Sequence, residues 1–471
     1  MGLAFHIENF GCRAARADGE AIAERLRFAG HGTQQPDQAD VVVVNTCSVT
    51  AEADREARAY IRRTNRNNPA ARIVVTGCYA QRAPAELAGL PGVAAVVGNS
   101  HKALAPEIAE RVALLGGIRA TAQPADSAFV DLRILAASAS SSPAPIFADD
   151  RFAHSFLEEA QVLPGVQTRP NLKIQEGCRN RCTFCVIPQT RGSSRSLSSE
   201  KVLAQVRGFA AAEGRELVLS GINLGRWGRD LPPENGVRPS LAHVVRRVFA
   251  ETDLPRLRLS SIEPMDWDSD LIGLLRDFAG HRLARHVHLP LQSGSDSVLR
   301  RMHRRYRPWH YEQKVQALFD AAGPELTLGA DVMVGFPGET DGEFQETLHL
   351  IQQLPFGYLH LFPFSPRPGT PGWDLHRDNP VPASVVDERM RTLRALARVK
   401  THAHRAAFVG RVLDGITLHT PEPLRLQGRT ALLSDNFLPI IMKGTLPANA
   451  LARVRITGID TSETLTSCLE P

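Results

Sequence analysis

Three cysteines fall within eight residues, Cys178-Arg-Asn-Arg-Cys182-Thr-Phe-Cys185, directly after the apolar run Leu172–Gln175. Seven cysteines in a 471-residue intracellular chain do not make a disulfide framework, because the cytosol keeps thiols reduced; metal binding, catalysis or burial must explain them. A cubane iron–sulfur cluster takes four ligands, so three thiolates on one short loop leave one iron open to chelate a small molecule. Zinc competes for such ligands, but its structural sites pair two distant Cys-x₂-Cys arms, and no fourth His or Cys stands near this run. The fold must therefore hold this loop rigidly at the end of a strand.

The pattern after Pro170 supplies such a frame. Six strand-like runs (Leu172–Gln175, Glu216–Ser220, Arg256–Ser261, His286–Leu291, Thr327–Val332 and Tyr358–Phe362) alternate with helical stretches. Six βα units predict an open, partial barrel rather than a closed eight-fold one. Ser220, Gly221 and Asn223 close the second strand, Glu263 follows the third, and Gln292 and Ser293 follow the fourth. All lie at the carboxyl edge where barrel active sites form, and are candidate cofactor contacts.

Upstream, residues 3–99 alternate short apolar runs with helical patterns, which predicts a parallel α/β domain. Cys12, Cys47 and Cys78 each follow one of its strands. The carboxyl ends of parallel strands share one edge, so the three can converge on a second cluster; alternatively, apolar strand ends bury cysteine as a small hydrophobe. Residues 119–165 turn to Ala, Ser and Pro and read as a linker or insertion. Beyond Phe408, short β-branched runs separated by Gly, Pro and Asn predict a small barrel or sandwich. The expected division is 1–118, 119–165, 166–405 and 406–471.

With an aromatic before its last cysteine, the 178–185 run resembles the radical S-adenosylmethionine (SAM) signature. Two three-cysteine sets in this order, followed by a small β tail, resemble the methylthiotransferases, whose last domain is called TRAM. Further stretches match that family: Asn45-Thr-Cys-Ser-Val-Thr50, Thr76-Gly-Cys-Tyr-Ala-Gln81, Ser220-Gly-Ile-Asn-Leu-Gly225, Leu289-Pro-Leu-Gln-Ser-Gly-Ser-Asp296 and Gly335-Phe-Pro-Gly-Glu-Thr340. One departure is Cys12-Arg-Ala-Ala-Arg16, where the family usually carries Lys, Asn and Gln. The resemblance implies two 4Fe–4S clusters, one on Cys178, Cys182 and Cys185 and one on Cys12, Cys47 and Cys78. It also implies SAM capping the open iron and yielding a deoxyadenosyl radical, with sulfur supplied at the second cluster. Val97-Gly-Asn99 and Ser260-Ser-Ile-Glu-Pro264 are most similar to the branch that modifies threonylcarbamoyladenosine beside the tRNA anticodon. The alternatives are the same chemistry on isopentenyladenosine in tRNA or on an aspartate of a ribosomal protein. A different class of reading is a non-catalytic iron–sulfur electron carrier or an RNA-binding regulator.

For RNA, Arg55, Arg58, Arg62 and Arg66 recur at helical spacing as a candidate phosphate stripe, against the alternative of a solvated helix face. Arg300, Arg301, Arg304 and Arg305, with Tyr306 and Trp309 nearby, form the second candidate contact. The tail after Phe408 balances its charges and makes no such case. No run approaches the ~20 apolar residues of a membrane span, and the start of the chain lacks a signal-peptide pattern. The expectation is a cytoplasmic protein fed by a low-potential donor of flavodoxin or ferredoxin type.

Overall fold

The computed structural model describes residues 2–115, 143–154, 162, 168–234 and 236–470. Its chain divides into two compact units, residues 1–161 with 176–180 and 185–194, and the remainder. Of the expected linker 119–165, residues 119–142, 155–161 and 163–165 lie outside the described residues.

The first unit is a parallel sheet, β1 (Ala4–Asn9), β2 (Gly32–Thr33), β3 (Val41–Thr46), β4 (Arg72–Gly77), β5 (Val93–Gly98) and β6 (Ile146–Phe147), in the order β2-β1-β3-β4-β5-β6. The Val41–Val44 run is buried throughout because helices cover both faces of this central strand. Thr50 caps the helix Ala51–Asn67 by accepting from the Ala53 backbone at 3.2 Å. β6 comes from the far end of the Ala/Ser/Pro-rich stretch, which here completes the sheet. Strand order reverses between β1 and β3, and the crevice at such a switch point is where α/β sheets bind ligands.

The second unit carries six parallel strands: β7 (Asn171–Glu176), β9 (Glu216–Gly221), β10 (Arg256–Leu259), β11 (His286–His288), β12 (Thr327–Val334) and β13 (Phe356–Pro363). β8 (Arg195–Ser196) lies on the β7 edge. The strands form two sheets, joined where Leu257 of β10 bridges Leu283, so the barrel is open as expected. β11 stops three residues short of its predicted end: Pro290 cannot donate to a ladder, and Gln292 takes φ +63°. Leu328, Ala330 and Val332 of β12 are fully buried, while the alternate residues Gly329 and Asp331 face inward.

The tail forms a closed barrel from β14 (Val412–Thr417), β15 (Arg429–Ser434), β16 (Pro439–Lys443), β17 (Leu451–Ile459) and β18 (Leu465–Leu469). Its Phe437 packs 4.3 Å from His286 and 5.6 Å from Tyr358, ring centre to ring centre. Its Asp435 pairs with Arg285 at 2.6 Å. The β15–β16 turn thus seats against β11 and β13 of the second unit.

Candidate active site

Tight backbone approaches shape the first cysteine set. Gly77 has φ +100°, and a Cβ there would stand 2.2 Å from the Thr46 carbonyl, so the ends of β3 and β4 close up only with glycine. Gly11, at φ +103°, leaves room for a Cβ only 2.6 Å from Cys47 Cβ, which sets the loop bearing Cys12 against Cys47. Cys47 and Cys78 are buried and Cys12 is exposed. Burial, reinforced by Cys78 and Cys12, pushes the Cys47 thiol up to about 12; it would become a thiolate there only with a metal to bind it.

The donors at these sulfurs fit cluster ligation. Asn99 Nδ2 donates to Cys78 Sγ at 3.4 Å, Arg191 Nε donates to it at 3.3 Å, and the Val49 backbone donates to Cys47 Sγ at 3.5 Å. Hydrogen bonds to cluster sulfurs are a main control on reduction potential. Arg191 is wholly buried between Asp18 at 3.1 Å and Glu176 at 2.8 Å, and Lys102 also pairs with Asp18. Burial alone would weaken the Arg191 charge, but Cys78, Glu176 and Asp18 outweigh it and hold the guanidinium protonated. Arg191 and Asn99 therefore supply the polar surroundings that the Cys12–Arg16 stretch lacks.

Cys178, Cys182 and Cys185 are all half-buried on the loop after β7. Cys178 is tied to Gly192 by a 3.0 Å backbone hydrogen bond, and its sulfur accepts from the Asn180 backbone at 3.4 Å. In the second unit, Arg304 Nη1 donates to Cys182 Sγ at 3.2 Å while Nη2 pairs with Glu263.

The predicted cofactor contacts take different roles. Gln292 Oε1 and, outside the predicted set, Ser260 Oγ are both buried at carboxyl ends of barrel strands with no hydrogen-bond partner among the described residues, as befits groups that bind a ligand. Gln292 also holds left-handed backbone, a strain characteristic of ligand clamps. Ser220 donates to the Leu172 carbonyl at 3.4 Å, and a Cβ on Gly221 would crowd Gln175 at 2.9 Å. The Asn223 backbone donates to Gln175 Oε1 at 2.7 Å. Ser293 braces its own turn through Thr347 at 3.1 Å. Glu263 is engaged by Arg304 rather than open to a ligand.

Within the second arginine run, Arg304 requires correction. Arg304 is buried at 6% exposure, which removes it from any RNA surface, and Tyr306 is fully buried with its hydroxyl on the Leu291 carbonyl at 2.7 Å. Arg300 pairs with Asp296 at 2.9 Å, Arg305 with Asp266 at 2.9 Å, and Arg301 with Glu343 at 2.8 Å. The Arg301 hydrogen bonds hold the Glu343 carboxyl down at about 2. On the helix Ala51–Asn67, Arg55 pairs with Glu52 at 2.5 Å and Arg58 donates to Tyr79 at 2.5 Å, whereas Arg62 and Arg66 are exposed.

A constellation missed from sequence lies on the inward face of β11–β13. Asp331 takes His288 at 3.1 Å and His360 at 3.2 Å, and Tyr358 bridges His288 at 3.1 Å and His286 at 2.8 Å. Asp331 is held below the usual carboxylate range: burial opposes this, and the two imidazoles override it. Two His and one carboxylate with ligand atoms within 4.8 Å resemble a metal-binding triad, but these contacts have hydrogen-bond lengths. The alternation in His286-Val-His288 was the available signal, since period two puts both rings on one face.

Comparison with known proteins agrees with this architecture. Residues 4–98 match a family described as uncharacterized protein family UPF0004, and residues 172–351 match the radical SAM superfamily. The radical SAM methyltransferase TsrM of Kitasatospora setae superposes with a TM-score of 0.50 over 79% of this chain and 77% of its own, at 16% identity, a likeness of fold. Threonylcarbamoyladenosine tRNA methylthiotransferase MtaB of Bacillus subtilis (strain 168) is 35% identical over 94% of this chain and 90% of its own. The Aquifex aeolicus (strain VF5) protein of that name is 33% identical over 97% and 100%. Fold and cysteine pattern thus define a radical SAM protein that carries an additional N-terminal α/β region. The chain belongs to the MtaB family of radical SAM methylthiotransferases. That membership brings SAM and a 4Fe–4S cluster, with a second cluster as in other methylthiotransferases.

Proposed function

We propose that this protein replaces the hydrogen on the adenine ring carbon of threonylcarbamoyladenosine, next to the tRNA anticodon, with a methylthio group. The observation that carries the reading is the pair of cysteine sets, each with N–H donors aimed at its sulfurs. Cys178, Cys182 and Cys185 hold one cluster and Cys12, Cys47 and Cys78 the other. Bound there with SAM, the clusters supply the radical that opens a C–H bond and the sulfur that takes its place.

The chain's own residues bind and orient. Asn99, Arg191 and Arg304 stabilise negative charge on the cysteine sulfurs. Ser260 Oγ and Gln292 Oε1 offer polar groups to SAM. Asp331, His288 and His360 give the barrel wall a hydrogen-bonding surface for a base edge. Exposed Arg62 and Arg66 contact tRNA phosphates, and the C-terminal barrel is a TRAM domain following barrel residues 166–405. No helix among the described residues is long and apolar enough to cross a membrane. The protein works in the cytoplasm, with a flavodoxin or ferredoxin as donor.

Nucleoside mass spectrometry of tRNA from a deletion strain tests the reading. Loss of methylthiolated threonylcarbamoyladenosine, restored by the wild-type gene, is expected. Unchanged nucleosides would overturn the substrate assignment and direct attention to isopentenyladenosine or a ribosomal protein.

A further inference from the structure

Arg391, Arg394, Arg398 and Arg405 recur at spacings of three, four and seven on the helix Ala383–Ala406, placing them on one face. The last three rim a groove of about 540 Å³ whose floor is Leu359 and Leu361 of β13. Such a volume lies within the ~300–1,000 Å³ typical of ligand sites. Glu463 is the acidic residue of the lining, and it is already held by His402 at 3.2 Å. Arg405 is spent on the Glu463 carbonyl. Arg391, Arg394 and Arg398 are exposed and make no ion pair or hydrogen bond with the described residues. They contrast with Arg300, Arg301 and Arg305, each of which has a carboxylate.

Three open guanidiniums along one helix face present positive charge every turn or so, about 5 Å apart, beside an apolar floor. Guanidinium forks match phosphate geometry, and an apolar floor accepts the face of an unstacked base. An acidic peptide would satisfy the charges but not the floor.

We propose that this groove, with the Arg391–Arg398 stripe, is an RNA-backbone site that anchors tRNA away from the reacting base. The proposal rests on tRNA being the substrate and assigns a contact that neither cysteine set supplies. The test uses the full-length, cluster-loaded protein and tRNA purified from a deletion strain, with affinity measured by fluorescence anisotropy across a salt series. The double variant Arg394→Glu/Arg398→Glu should bind at least about tenfold more weakly near 0.1 M salt. The slope of log affinity against log salt should fall by about 1.4–1.8, two phosphate contacts' worth. Arg394→Lys/Arg398→Lys should stay within about threefold of wild type, because lysine still binds phosphate as a point charge. Iron content and melting temperature of the variants report the fold. Wild-type affinity and slope in the glutamate variant would overturn the groove while leaving the tRNA reading intact. An equal loss in the lysine variant would also overturn it, since charge would not then be the cause. A wild-type protein that does not bind tRNA at all would overturn both.

Discussion

Cys178, Cys182 and Cys185 lie on a single loop, each half-buried, with sulfur contacts from residues as near as Asn180. Cys47 and Cys78 are buried at the ends of neighbouring strands, and one sulfur reaches Arg191, 113 residues further along the chain. One set is made by spacing and can assemble wherever its loop is held. The other exists only when a sheet, two glycine approaches and a buried charge cluster are all in place. Damage to the β3–β4 strand ends that carry Cys47 and Cys78 should therefore separate the two sets.

The largest expected effects come from the cysteines. Cys182→Ala should lower deoxyadenosine formation from SAM by at least about a thousandfold and remove about four irons per chain, the content of one cubane. Cys47→Ala should remove a similar amount of iron and all methylthiolated product, yet leave deoxyadenosine formation measurable. If Cys47→Ala also abolished SAM cleavage, the two sets would not be separable.

Arg191→Met should come next. It takes the buried guanidinium away from Glu176 and leaves Asp18 with Lys102 as its cation, a loss of about 3–5 kcal/mol, and removes a donor from Cys78. Chemical denaturation should show the destabilisation, and iron should be lost preferentially from the Cys12–Cys47–Cys78 set. Equal loss from both sets would contradict the comparison.

Acid titration offers a control in the second unit. Burial, with Arg405 adding to it, lowers the His404 ring to about 4, and its Nε2 meets Thr327 Oγ1 at 2.8 Å. An unperturbed histidine titrates near ~6.5. Because the folded value is depressed, the neutral ring's contribution is fully present above pH ~6.5 and is lost as pH falls toward 4. Stability should drop by about 2–3 kcal/mol over that window, and His404→Asn should flatten the slope. The smallest effect should be Arg300→Ala, which removes one exposed ion pair worth under ~1 kcal/mol. tRNA affinity should change by less than about twofold; a tenfold loss would restore Arg300 as an RNA contact.

Much of this was legible before any coordinates. The six strand runs of the barrel and the strand-end placement of Cys47 and Cys78 follow from hydrophobic periodicity, because each strand's burial is written into its own residues. The early end of β11 was obscured because an apolar pattern continues through Leu289 and Leu291. The individual strands of the tail, such as β16 and β18, are weakly marked because short runs carry little periodic signal. The arginines misled for a different reason: sequence reports a charge but not whether a carboxylate from another element already meets it. Asp266 and Glu343 reach Arg305 and Arg301 from 39 and 42 residues away.

The sequence alone determined the metal-ligand loop at residues 178–185, the order of its domains and, through its motifs, the family. These are properties of spacing along the chain. The tertiary structure decided which groups meet: that Arg191 and Asn99 serve Cys78, that Asp331 gathers His288 and His360, and that Arg394 and Arg398 stay open while Arg304 is buried. Hydrogen bonds and ion pairs act over a few ångströms in space, and separation in sequence does not encode that distance until the sheets have closed.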